Sequence, residues 1–96
     1  MKRIKLTQGK STIVSDRDYR RLRKFKWCAK QSSSDWYAVR GVWLKNARRV
    51  QIVRMHRVIM HCPANKQVHH KNDKTLDNRR RNLQIVSPTK NLAYRN

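Results

Sequence analysis

The run Gln67-Val68-His69-His70-Lys71-Asn72-Asp73-Lys74-Thr75-Leu76-Asp77-Asn78-Arg79-Arg80-Arg81-Asn82-Leu83-Gln84-Ile85-Val86-Ser87-Pro88 decides how this chain folds. Gln67 to His70 reads as a short strand, and Leu83 to Val86 as a second. Between them Lys71 to Arg81 is polar, lacks a hydrophobic period and reads as a loop. Ser87 and Pro88 then open a helix over about 88–94, serine as N-cap and proline at the first helical position. If the two strands pair, the loop returns Asn82 beside His70, and the helix carries Asn91 towards His69. Adjacent strand residues point to opposite faces. His69 and His70 can therefore share one small site only at a strand end or a bulge.

Upstream, Met55, Val58, Ile59 and Cys62 recur at i, i+3, i+4 and i+7, an amphipathic helix that Pro63 ends. Before Arg54 the texture is that of strands. Ile4 and Leu6 alternate with charged residues, a turn follows at Gln8-Gly9, and Ser11 to Val14 is extended again. Asp16 suits the N-cap of a short helix carrying Tyr19, Leu22 and Phe25. Lys26 to Lys30 reads as a strand, Gln31 to Ser34 as a turn, and Trp36 to Leu44 as a long aromatic strand. Tyr37, Val39 and Trp43 share one face of it, and Trp36, Ala38, Arg40 and Val42 the other. Lys45 to Arg48 turns the chain, and Arg49 to Val53 returns it. The expected fold class is α+β: one compact unit over 1–96, with a basic antiparallel sheet over 1–53 and a helix, strand, loop, strand and helix over 54–96.

The chain has 96 residues, with 25 Lys plus Arg against 5 acidic residues, hence a formal charge of +20. So one-sided a charge repels itself and points to a polyanion. The carboxylates are Asp16, Asp18, Asp35, Asp73 and Asp77, and glutamate is absent. Two-carboxylate glycosidase chemistry and an all-carboxylate two-metal site are therefore disfavoured. Hydrolytic chemistry would rest on His56, His61, His69 and His70. No apolar run approaches a membrane span, and no signal core follows the basic N-terminus, so a cytoplasmic protein without a membrane partner is expected. Cys28 and Cys62 form no CxxC pair and read as free thiols. Trp27, Trp36 and Trp43 read as core or sheet-face packing, with base stacking the lesser option.

The stretches Met55-His56-Arg57-Val58-Ile59-Met60, Val68-His69-His70-Lys71-Asn72, Leu76-Asp77-Asn78-Arg79, Asn82-Leu83 and finally Asn91 occur in that order. This set resembles the HNH endonuclease family, and most of all its small phage-type, homing or nicking members. The likeness covers about 54–96. It extends more loosely over 10–53, where Phe25-Lys26-Trp27 and Trp36-Tyr37-Ala38-Val39-Arg40 resemble the texture of a small DNA-binding sheet. The resemblance implies a ββα-metal module that hydrolyses DNA phosphodiesters, with nicking of one strand preferred. It implies His70 as general base, and His69 and Asn91 as protein ligands of one divalent ion. Asn82 would be the middle asparagine, largely structural, bonding backbone groups across the loop and helping to orient the base. Many relatives carry Asp-His where this chain has His69-His70. Imidazole suits Mn, Co, Ni or Zn better than Mg, so manganese is expected first.

His56 is a secondary candidate, for which a structural hydrogen bond is favoured over ligation. Arg40, Lys45, Arg48, Arg49 and Arg54 flank the long hairpin, and Arg79, Arg80 and Arg81 sit between the catalytic elements. All eight are candidate contacts to the phosphates of double-stranded DNA. A monomer would nick, and a weak homodimer could break both strands. The rival reading is a non-catalytic DNA- or RNA-binding basic protein.

Overall fold

The computed structural model describes residues 1–87. The helix expected over 88–94, with Asn91 on it, lies outside the described residues. Within them the architecture mixes two short helices with eight strands, mostly β.

The N-terminal hairpin follows its alternation. Strand β1 (Lys2–Lys5) pairs antiparallel with β2 (Ser11–Val14), matching Ile4 to Thr12. The turn between them places Gln8 and Gly9 at φ 61° and 69°, a left-handed conformation that glycine adopts without a Cβ penalty. Helix α1 (Asp16–Leu22) comes next, with Asp16 and Asp18 in its first turn and Arg20 and Arg21 in its last, as the helix dipole favours. Its N-cap is Ser15, and Asp16 is the first helical residue instead of the cap. The helix also stops short of Phe25. The indole Nε1 of buried Trp27 donates to the Leu22 carbonyl at 2.8 Å and folds the chain back at that point. Phe25 is left 46% exposed, its ring covered by the Arg40 guanidinium at 3.9 Å.

Strands β3 (Cys28–Ser32), β4 (Asp35–Leu44) and β5 (Arg49–Arg54) form an antiparallel sheet in that order. Trp27 is fully committed to the core and Trp36 is half-buried. Trp43 is 61% exposed, a departure from the core or sheet-face packing expected for it: its neighbour across the sheet, Val50, is itself 56% exposed. Helix α2 (Met55–Met60) follows β5 directly. Met55 and Ile59, four residues apart on one face, are wholly buried beside Val14, Leu22 and Leu83. The helix ends at His61, in a left-handed conformation with φ 50°, two residues before Pro63, so Cys62 is not part of it.

Strands β6 (Gln67–His70) and β8 (Leu83–Val86) pair antiparallel, with His70 opposite Leu83 and His69 opposite Gln84. The polar stretch between them is more ordered than its composition suggests. It contains a two-residue strand, β7 (Asp77–Asn78), and a single 3-10 turn (Arg80–Asn82). Strand β7 runs parallel to β2, with Ile13 beside Asp77 and Val14 beside Asn78. The N-terminal hairpin is thus hydrogen-bonded to the C-terminal loop. Two residues are too few for a hydrophobic period to reveal, and their pairing partner lies far away in sequence. No helix among the described residues is long and apolar enough to cross a membrane.

Candidate active site

His70 is the last residue of β6, and the strand end is where two neighbouring histidines can converge. Both His69 and His70 line a cleft of about 670 Å³, together with Asp35, Tyr37, Arg54, His56 and Asp73. Strand β4 supplies Tyr37, and helix α2 supplies His56 from its first turn. The His56 and His70 rings meet edge to face with centroids 5.1 Å apart, and Tyr37 lies 5.8 Å and 6.4 Å from them. His70 is 6% exposed and His56 7%, while His69 is half-buried.

A one-way chain of hydrogen bonds fixes His70. The Thr12 hydroxyl donates to the Leu76 carbonyl at 2.7 Å, so its oxygen accepts from Asn78 Nδ2 at 2.9 Å. The same Asn78 amide nitrogen points at Met55 Sδ, 3.7 Å away. With its NH₂ committed to two acceptors, Asn78 turns Oδ1 towards His70 Nε2, 2.9 Å away. An amide oxygen can only accept, so Nε2 carries the proton and neutral His70 keeps Nδ1 as its lone-pair acceptor. Burial pushes the His70 imidazolium out of favour, and His69 adds to this; the Asn78 bond works the other way and only in part offsets it. His56 is driven further, to about 3, first by burial and then by the neighbouring His70, Arg54 and Arg57. Both rings are therefore neutral at pH 7.

The hydrogen bonds of the Asn82 side chain go to the loop and not to His70. Its side chain accepts from the Asn72 backbone N–H at 3.1 Å and donates to the Asp77 carbonyl at 2.9 Å, tying the loop across its base. Lys71 N–H bonds the Asn82 carbonyl at 2.8 Å, which continues the β6–β8 ladder by one rung. Asp77 anchors the same loop. Its carboxylate takes two bonds from the Arg79 guanidinium, at 2.8 and 2.7 Å, and one from Asn72. These bonds, Arg79's first, hold its carboxyl down at about 2 against the cost of burial.

The sequence singles out His70 but not Asn78 or Tyr37. Asn78 stood in the quoted Leu76-Asp77-Asn78-Arg79 string without a role, because its bonds come from Thr12 and Met55, 66 and 23 positions away. Tyr37 carried a signal only as part of an aromatic strand. Of the eight proposed phosphate contacts, only Arg54 lines the cleft. Arg79 is paired with Asp77, and Arg80 grips Asp18 through a two-pronged contact at 2.8 to 3.1 Å. Arg81, Lys45, Arg48 and Arg49 are exposed. Arg40 lies over Phe25 and Trp27.

For a metal, His69 offers an imidazole within the cleft, and Asn91 lies outside the described residues. Among the described residues no three of His, Cys, Asp or Glu converge into a metal-binding group. The donor chemistry at His69 fits a borderline transition ion better than magnesium. The chain matches no protein-family model, no curated protein and no solved structure.

Proposed function

We propose that this protein is a metal-dependent endonuclease that hydrolyses DNA phosphodiester bonds, nicking one strand per site, with His70 as general base. One observation carries the reading: the Leu76–Thr12–Asn78 chain leaves a buried, neutral His70 with its acceptor nitrogen at Nδ1, in a cleft beside Arg54. Such a nitrogen takes a proton from water as the water oxygen attacks phosphorus. The 3′ oxygen leaves, and His70 later returns its proton to solvent. Asn78 is the positioning residue: it holds the ring and its tautomer. Arg54 offers a guanidinium to a phosphate oxygen. Held by His69 and Asn91, a divalent ion would supply positive charge at the scissile phosphate, with manganese favoured. In this reading β6 and β8 are the strands of a ββα-metal module, and Asn82 keeps its loop in shape.

The test is relaxation of supercoiled plasmid with Mn²⁺, with and without EDTA, for the wild type and His70→Ala. The wild type should give open circles and EDTA should stop it. His70→Ala should be slower by about 100-fold or more, the usual worth of a general base. An unchanged rate in His70→Ala would sink the mechanism. Absence of metal-dependent cleavage of any DNA would leave a non-catalytic DNA- or RNA-binding protein.

A further inference from the structure

The β3–β4–β5 sheet leaves part of one face bare. Trp43 stands opposite Val50 in the register, and Ile52 opposite Gly41. Their side chains are 61, 56 and 41% exposed for Trp43, Val50 and Ile52. Alternation puts Tyr37, Val39, Gly41 and Trp43 on one face of β4 and Val50, Ile52 and Arg54 on the matching face of β5. Tyr37 and Arg54 line the histidine cleft, so the bare strip continues outward from it. Gly41 keeps the strip low. A Cβ there would lie 2.8 Å from Val50 Cγ1 and would push that side chain aside.

The rim of the strip is cationic. Lys45 and Arg48 occupy the turn and Arg49 opens β5, all exposed. The ion pairs among the described residues join Asp16, Asp18 and Asp77 to the N-terminus, Arg21, Arg79 and Arg80, none of them at this hairpin. A second copy seated here would bring two like-charged rims together in chains of +20 each, which opposes self-pairing. A partner that combines flat apolar faces with regular negative charge complements both the strip and the rim. An unpaired polynucleotide strand has that chemistry, because every base offers a π-face and every linkage a phosphate.

We propose that the Trp43–Val50–Ile52 strip is a base-stacking platform for an unpaired stretch of the DNA strand that leads to the cleft. The Trp43 indole takes the face of one base, and Lys45 and Arg48 of the adjoining turn take the flanking phosphates. Trp43 lies six residues from Tyr37 along β4. That is about 20 Å at ~3.3 Å per residue, or roughly six nucleotides of a stacked strand at ~3.4 Å each. The inference rests on the DNA-binding part of the reading above and is independent of cleavage.

The test is binding in EDTA, by fluorescence anisotropy, of a labelled strand of about twelve nucleotides, within the usual span of single-strand sites. An equally long strand with abasic sites throughout is the comparison, since it keeps the phosphates and removes the bases. The wild type should bind the base-bearing strand roughly 5- to 150-fold more tightly, the range expected for one stacked base. Trp43→Ala should lose that preference, and Trp43→Phe should retain most of it. Because Trp43 is exposed, the thermal midpoint of Trp43→Ala should match the wild type. Equal affinity of the wild type for both strands, no binding of either, or an undiminished preference in Trp43→Ala would overturn the proposal. So would a wild-type dimer in the absence of DNA that Trp43→Ala abolishes, which would assign the strip to a second copy. A base preference that depends on Trp43 in a protein that never cuts would remove the nuclease reading and leave this one standing.

Discussion

A single buried asparagine does more for the site than the histidine pair can do for itself. Asn78 is wholly buried, and its amide is the only link between Thr12 and the His70 ring in the described hydrogen bonds. Asn78→Ala would orphan the His70 Nε2–H, at a cost of about 1–3 kcal/mol, measurable by urea unfolding. Asn78→Asp separates position from charge. A carboxylate beside His70 favours the imidazolium, so the acidic limb of the pH–rate profile should move to higher pH. An unmoved limb would show that His70 is not the titrating base. His56 gives a second pH effect, on stability. Its folded value, about 3, lies below its ordinary 6.5. Above pH 6.5 both states are neutral and nothing is lost. Below it the unfolded chain binds a proton that the folded chain refuses, so stability falls as pH falls towards 3. Between pH 7.5 and 5.5 this amounts to about 1.4 kcal/mol for one such group, and His56→Gln should abolish that share of the slope. His70 stood out in the sequence through the ordered set of motifs around the His-His pair, since such a pair alone says little. Asn78 did not, because an asparagine's role depends on which groups surround it.

Among the elements, the 3-10 turn shows how an arginine's role escapes the sequence. Arg80 reads as one of three consecutive cations facing a phosphate, yet its guanidinium grips Asp18 of α1, which is 1% exposed. Burial alone would raise the Asp18 carboxyl; bonds from Arg80 and Arg21 outweigh it and hold the group below its ordinary value. The pair clamps α1 to the turn that precedes β8, and Ser15 Oγ adds a bond to the Arg80 N–H at 3.0 Å. Arg80→Ala should therefore cost up to about 3 kcal/mol, because the buried Asp18 Oδ2 loses its bond while Arg21 still holds Oδ1 at 3.2 Å. The double variant Asp18→Ala/Arg80→Ala should cost less than Arg80→Ala alone. A double variant at least as unstable would mean that the pair's attraction, and not the under-bonded carboxylate, governs the loss. Strands β4, β5, β6 and β8 fall within a residue of the bounds expected for them, since strand-forming composition and turn residues are written locally. Strand β7 and the 3-10 turn have no such local signal and are held by distant partners.

Across the whole molecule, charge dominates. Among the described residues, Asp16, Asp18 and Asp77 are in ion pairs, with the N-terminus, Arg21, Arg79 and Arg80, and the sequence holds only five aspartates against 25 Lys and Arg. Binding to duplex DNA should weaken with a log–log salt slope of about 0.9 per phosphate neutralised. Lys45→Ala and Arg49→Ala should each reduce that slope by about one unit, and a flat salt dependence would refute a phosphate-facing surface. The sequence by itself determined the charge of +20, the mixed α and β class, the β6–β8 pair and the histidine pair at the end of β6. Those properties depend on composition and on short-range period, which are written locally along the chain. Only the tertiary structure decided that the N-terminal hairpin pairs with the loop at Asp77–Asn78, that Asn78 sets the His70 tautomer, that Arg80 turns inward to Asp18, and that Trp43 is left in solvent. Each of these is a contact, or the lack of one, between segments far apart in sequence. A side chain's partner there depends on where the backbone carries it, and no local pattern encodes that.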